Sequence, residues 1–330
     1  MTFTYDDVYV QDTATIAGPY EKKGPLKKYF DKTFNDLYFD EDSWEKAEIK
    51  TVKESLKLLH KKVGLKRKEV DVILGGDLLN QITATTYGSY NFSKCFLGLY
   101  GACSTSVEAM ILGSVLIDSQ KAKNAIVTVS SHNMAAEKQF RNPTEYGAPK
   151  PKSATFTATG SASLLLTHEK TDIKVESSTI GRIIDFCQND PNDMGKVMAP
   201  AAIDTIKRHL KDLNRKPDYY DLIVTGDLGL YGKEIVKDYM LEEYNIDLSN
   251  NYNDCGVMLY DLKEQEECLA GGSGPVCSAL VAFGYIFHEM KKKNLKRVLI
   301  VATGALFSPT MVYQKENIYS IANAISLEVI

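Results

Sequence analysis

Cys103 is the residue of this chain most readily read as chemistry. It stands in "LGLYGACSTSVEAMILG", residues 97 to 113, between a glycine-terminated strand pattern and a long apolar run. A thiol at a helix start is favoured as thiolate, because free N–H groups and the helix dipole stabilise negative charge there. Placement leaves three readings: a nucleophile, a ligand contact, or a small residue at a tight turn. Acyl transfer would also require a base to hold the thiolate and donors to stabilise an oxyanion. His132, just past the strand pattern "NAIVTVSS", is the histidine placed to reach a pocket floor. Asp77 and Asp227 each end a strand in a Gly-Asp turn, where a carboxylate either caps the turn or faces a ligand. Ser273 in "GGSGP" and Thr303 in "VATGAL" are neutral hydrogen-bond candidates. Arg141 in "FRNPTEYG" is the best-placed cation for an anionic ligand, with Arg182 second.

The elements that must position these residues occur twice. "EVDVILGGDLLN" (69 to 80) recurs as "DYYDLIVTGDLGLY" (218 to 231), aligning Asp71 with Asp221 and Asp77 with Asp227. Each copy follows an amphipathic segment, 44 to 65 and 199 to 215, with apolar residues at three and four spacing. A second block, 101 to 133, matches 271 to 306: a small-residue turn, an apolar helix, a basic patch and a strand, with Cys103 opposite Ser273. Uninterrupted apolar strands alternating with helices predict an α/β fold whose parallel or mixed sheet is covered on both faces. Two pseudo-symmetric halves are expected, 1–180 and 181–330, in a single compact unit. Segments 139 to 160 and 185 to 195 read as loops over the sheet, where ligands are usually met.

Composition narrows the function classes. With 330 residues, 44% hydrophobic and 25% charged, and a net charge of -4, the chain has room for a large core and no bias toward nucleic acid. The N-terminus lacks a basic and apolar leader pattern, and the uncharged stretch 268 to 287 begins as a glycine-rich turn. Synthesis in the cytoplasm is therefore expected, with no signal peptide and no transmembrane segment. Six cysteines without a paired motif, among five scattered histidines, predict neither a metal site nor a disulfide framework. Cys187, Cys255, Cys268 and Cys277 read as structural, as do His60, His168, His209 and His288. Asp185, Asp190 and Asp193 do not follow calcium-loop spacing.

Duplicated α/β halves with "GACSTS" opening a major helix resemble the thiolase-like superfamily. More narrowly, "AGPYEKKGPL", "GDLLNQ", "SSHN", "RNPTEYG", "DPNDMG", "MAPAAIDTIKRHLKDLNR" and "VATGALFSPTM" resemble the stage V sporulation protein AD family of endospore-forming bacteria, over residues 17 to 325. The resemblance implies a thiolase-like fold layered αβαβα. It implies a non-catalytic binding protein for pyridine-2,6-dicarboxylic acid (dipicolinic acid), held in the pocket that corresponds to the thiolase active site. That role serves uptake into the developing spore and spore germination, with calcium travelling with the ligand. The resemblance also implies a homodimer, peripheral association with the inner spore membrane, and partners among the other membrane proteins of the stage V sporulation A operon.

Against the enzymes of that superfamily two positions depart. Asp227 stands where ketosynthases carry a base, and Ser273 where they carry His or Asn. A carboxylate beside a thiol opposes its ionisation. The expected site is therefore a ligand pocket of Cys103, Asp77, His132, Asp227, Ser273, Arg141 and Thr303, with no catalytic residue. The alternative is a ketoacyl-synthase-like acyltransferase with Cys103 as nucleophile and His132 as base. Calcium, if bound with the ligand, would make Asp77 and Asp227 useful as hard oxygen ligands.

Overall fold

A computed structural model of the chain describes residues 1–92, 95–140 and 149–330. In the first half the strands are β1 (Thr2–Thr4), β2 (Tyr9–Ala17), β3 (Lys32–Thr33), β4 (Val72–Gly76), β5 (Phe96–Gly98), β6 (Asn124–Ser131), β7 (Phe156–Thr157) and β8 (Gly160–Thr167). The helices between them are α1 (Trp44–Val63), α2 (Thr83–Ser89), α3 (Thr105–Asp118) and α4 (Asn133–Phe140). The second half has strands β9 (Ile173–Thr179), β10 (Leu222–Thr225), β11 (Tyr252–Asp254), β12 (Gly272–Ser273), β13 (Arg297–Leu306) and β14 (Tyr319–Val329). Its helices are α5 (Met194–Asp212), α6 (Gly229–Tyr244), α7 (Cys255–Leu259), α8 (Pro275–Leu280), α9 (Phe287–Lys291) and α10 (Pro309–Tyr313). A π-helical stretch, Val281–Ile286, joins α8 to α9, so the apolar run after "GGSGP" becomes one buried helical rod.

Sheet order makes the duplication explicit. The strands run β11-β10-β13-β14-β9-β2-β8-β6-β4-β5, and reading outward from the β9–β2 junction gives the same succession on both sides. Two residue pairs, Tyr9 with Lys174 and Val10 with Ile173, close the junction, making one mixed twelve-stranded sheet. By this pairing β9 already belongs to the second half, so the repeat begins ahead of the boundary expected at residue 181. Asp71 and Asp221 confirm the register: Asp71 accepts the N–H groups of Lys123 and Asn124 at the start of β6, and Asp221 accepts those of Lys296 and Arg297 at the start of β13.

Helices fill the remaining layers. α3 is apolar around nearly its whole circumference and buries most of it, leaving Leu112 and Val115 exposed. It packs beside α8 between the two halves of the sheet, with Ser106 and Ser278 hydrogen-bonded at 2.9 Å. α1 and α5 cover the outer faces. α1 buries Val52, Leu56 and Leu59, is capped by Ser43 at its start, and ends at left-handed Gly64. Asp193, read as a solvated loop acid, caps α5 through the Lys196 N–H. No helix of the described residues is long and apolar enough to cross a membrane.

Candidate functional site

The site forms where the starts of the two central helices meet. Cys103 lies in a single 3-10 turn, Ala102–Ser104, that leads into α3. Opposite it, Ser273 ends β12, which pairs with β7. Gly274 follows at φ 94°, a conformation that favours glycine, and a Cβ there would come within 2.8 Å of Ser131 Oγ. That backbone turns the Gly274 N–H onto Asp227 Oδ2 at 3.1 Å.

Asp227 gathers the surrounding donors. Ser273 Oγ donates to its Oδ2 at 3.0 Å and Thr303 Oγ1 to its Oδ1 at 2.7 Å. The Cys103 thiol stands beside this ring, its Sγ 3.9 Å from Ser273 Oγ, close enough to feel the Asp227 charge. Burial pushes the Cys103 thiol well above its usual range, and the Asp227 charge pushes it further. The α3 dipole works the other way, but it is equivalent to only about half an elementary charge. Burial together with the nearby carboxylate outweighs it, so the thiol keeps its proton.

The other candidate residues separate. Asp77, the counterpart of Asp227, accepts the Leu79 N–H at 2.9 Å and the Thr85 N–H at 2.7 Å, capping its own turn. His132 does not reach the pocket floor. Its Nε2 is 2.7 Å from the Leu37 carbonyl, its ring stands edge-on to Phe39, and burial lowers its pKa to about 4. A histidine so held is neutral and shares no bond with Cys103, which removes the base required by the acyl-transfer alternative. Arg141 lies outside the described residues. Arg182 is exposed and paired with Asp204.

A pocket of about 60 Å³ opens over Cys103 and Ser273. At roughly 10–15 Å³ per water this is space for several waters or one compact small molecule. Its walls are Leu78, Met194, Met198, Phe140 and Phe307, with Tyr100 and Thr157 adding hydroxyls. Phe140 and Phe307 meet at 6.0 Å between ring centres, at a steep angle. Glu137 also lines the wall, almost wholly buried, and is ion-paired with Lys150 at 2.8 Å. Among the described residues no group of three or more His, Cys, Asp or Glu side chains could hold a metal ion.

Sequence reasoning missed the pocket's walls and one buried acid. Asp254, at the end of β11, accepts the Thr225 hydroxyl and the N–H groups of Leu228, Gly229 and Gly256 within 3.0 Å. Burial raises its pKa to about 7. Its role shows only once the strands are paired: Asp254 pairs with Thr225 on β10, and the equivalent partner of Gly75 on β4 is Gly98. The walls carried no such signal, because Tyr100, Phe140, Met194 and Phe307 come from four separate segments.

The family model for stage V sporulation protein AD matches residues 1–328. Stage V sporulation protein AD of Bacillus subtilis (strain 168) is 45% identical over 321 residues, covering 97% of this chain and 94% of the relative. Among solved structures, a variant of OleA from Xanthomonas campestris superposes with a TM-score of 0.62 at 11% identity, covering 99% of each chain. AbyA1, a tetronic acid condensing enzyme, superposes with a TM-score of 0.58 at 14% identity, covering 97% of this chain and 99% of its own. Likeness at that level carries the fold alone, and the fold is thiolase-like. With the family model spanning nearly every residue and a sporulation protein 45% identical along its length, the chain belongs to the stage V sporulation protein AD family.

Proposed function

We propose that this protein is a non-catalytic binding protein for pyridine-2,6-dicarboxylic acid, acting in its uptake into the developing spore and in germination. The observation that carries the reading is the pocket floor: Cys103 lies 3.9 Å from a Ser273 hydroxyl committed to Asp227, while His132 is held away from it at the Leu37 carbonyl. The pocket persists without the means of acyl transfer, which is the condition of a binding site. Its aromatic and apolar walls suit a flat ring, and the hydroxyls of Ser273, Thr157 and Tyr100 with the Cys103 thiol suit carboxylate oxygens. Calcium entering with the ligand fits the reading only as cargo, since the oxygens of Asp77 and Asp227 are occupied by protein donors.

A homodimer is part of the proposal. The edge strand β5 is exposed along its length and carries Phe96 and Leu97, with Tyr87, Tyr90 and Tyr100 exposed close by in the sequence. An unpaired apolar edge of this kind is a template for another strand. Peripheral association with the inner spore membrane through other stage V sporulation A proteins is likewise proposed, resting on the family.

Titration calorimetry with pyridine-2,6-dicarboxylate, with and without calcium, tests the ligand. Saturable binding that weakens at least tenfold in Cys103→Phe, which fills the pocket, is the expected result. No heat and no rise in melting temperature under either condition would sink the reading. Incubation with acyl-coenzyme A should leave the mass of Cys103 unchanged, and an acyl adduct would favour the transferase alternative.

A further inference from the structure

We propose that Asp227 and Ser273 act as a proton-linked pair that sets which charge form of a carboxylate the pocket accepts, Asp227 taking up one proton as the anion enters. The inference rests on the ligand reading above and deepens it.

Ser273 Oγ stands at two places at once. It lines the pocket, and its hydroxyl proton is committed to Asp227 Oδ2 at 3.0 Å. A carboxylate arriving over Cys103 needs donors, and the Ser273 hydroxyl lies 3.9 Å from that thiol. Giving its proton to the ligand takes one donor away from Asp227. The same event brings a second negative charge close to a carboxylate that is already buried.

The groups facing Asp227 offer no relief. Cys103 stands on the turn before α3, Ser273 and Gly274 on β12 and the following turn, and Thr303 on β13. Beyond them are Asp254, itself buried and surrounded by donors, and the buried thiols of Cys255 and Cys277. None of these is a cation. Among the described residues lining the pocket Glu137 alone bears a charge, and it is negative and engaged with Lys150. Two unscreened carboxylates across one hydroxyl are unfavourable in a buried site, and a proton is the smallest charge that resolves them.

A hydroxyl can accept and donate together, so the chain of bonds then closes. The proton comes from solvent and settles on Asp227, Asp227 O–H donates to Ser273 Oγ, and the Ser273 O–H donates to the ligand carboxylate. No other bond forms or breaks. The raised pKa of Asp227, caused first by burial, moves in the same direction. The donors from Ser273, Gly274 and Thr303 favour the ionised form of Asp227, and losing one of them to an incoming carboxylate favours the proton.

The test is calorimetry of pyridine-2,6-dicarboxylate at about pH 7, well above ordinary carboxyl pKa values, in two buffers of different ionisation enthalpy. The wild-type protein should take up about one proton per ligand, and affinity should fall by up to about tenfold per pH unit on the alkaline side. Asp227→Asn should bind with no proton uptake and a flat pH profile. Ser273→Ala, which keeps the carboxylate, should bind more weakly and also lose the uptake. Heats that do not depend on the buffer, with or without calcium, overturn the inference while leaving the ligand reading standing. Unchanged uptake in both variants overturns it as well. No binding of the dicarboxylate under any condition overturns the ligand reading, and this inference falls with it.

Discussion

Asp77 and Asp227 hold the same place in the two halves, and only Asp227 is hydrogen-bonded to a side chain that lines the pocket, Ser273. The strand register explains why. Gly75 and Thr225 are equivalent positions; Gly75 pairs with Gly98, and Thr225 pairs with Asp254. Asp254 accepts the Gly229 N–H, and Leu79 is the equivalent of Gly229. In the second half, therefore, a neighbouring strand caps the Gly-Asp turn and Asp227 is free to turn toward Cys103. In the first half Gly98 has no side chain to do this, and Asp77 must cap the turn itself. A duplicated fold can thus specialise one half by changing a residue two elements away from the one that acquires the new role.

The largest effect is expected from removing the residue that permits this division. Asp254→Ala leaves the N–H groups of Leu228, Gly229 and Gly256 without their side-chain acceptor in a buried site. At about 1–3 kcal/mol for each buried group left unsatisfied, partly relieved by water, a loss of about 4 kcal/mol or a failure to fold is expected. Urea denaturation measures it, and a loss below about 1 kcal/mol would break the comparison. Asp77→Ala should cost less, about 1–3 kcal/mol for its two N–H groups, while leaving the affinity for the dicarboxylate unchanged. Weaker ligand binding in that variant, with a normal melting temperature, would place Asp77 in the site after all.

The two sheet edges differ in the same way as the two aspartates. β11 is covered, with Tyr252 and Asp254 buried, whereas β5 is exposed at all three residues. Placing a charge on the exposed edge, as in Leu97→Asp, should shift the particle mass toward the monomer in light scattering. A wild-type protein that is already monomeric would remove the proposed dimer.

What could be read in advance was whatever repeats. The helix, strand and Gly-Asp succession, the paired Asp71 and Asp221, and the buried helix after "GGSGP" are local patterns, and each stands where its periodicity put it. The Cys103 and Ser273 pairing was also legible, because both open a central helix. The orientation of His132 was misread although its signal was present. Alternation along β6 turns Ser130 to Glu48, on the α1 side, and Ser131 to the Ala158 carbonyl, on the pocket side. The residue after them continues outward, to Leu37 and Phe39. The roles of Asp77 and Asp227 depend on which residue the next strand supplies, and the pocket walls on chain segments far apart in sequence, so neither follows from a local pattern.

The smallest effect is also the most specific to the pocket floor. Cys103 should be alkylated by iodoacetamide at about pH 7.5 far more slowly than the exposed Cys95 and Cys187, as followed by peptide mass mapping. Asp227→Asn removes the like charge that opposes the thiolate, so Cys103 should react faster while the two exposed thiols keep their rates. The same variant carries a pH signature whose sign is fixed. The pKa of Asp227 is higher folded than unfolded, so the folded protein binds more protons there and loses stability as pH rises through that interval. With Asn in place of Asp227 that loss is absent, and the stability of the variant relative to the wild type should increase as pH rises above the ordinary carboxyl range. A difference that stays constant with pH, together with unchanged alkylation of Cys103, would mean that Asp227 does not govern the thiol, and the contrast with Asp77 would lose its functional content.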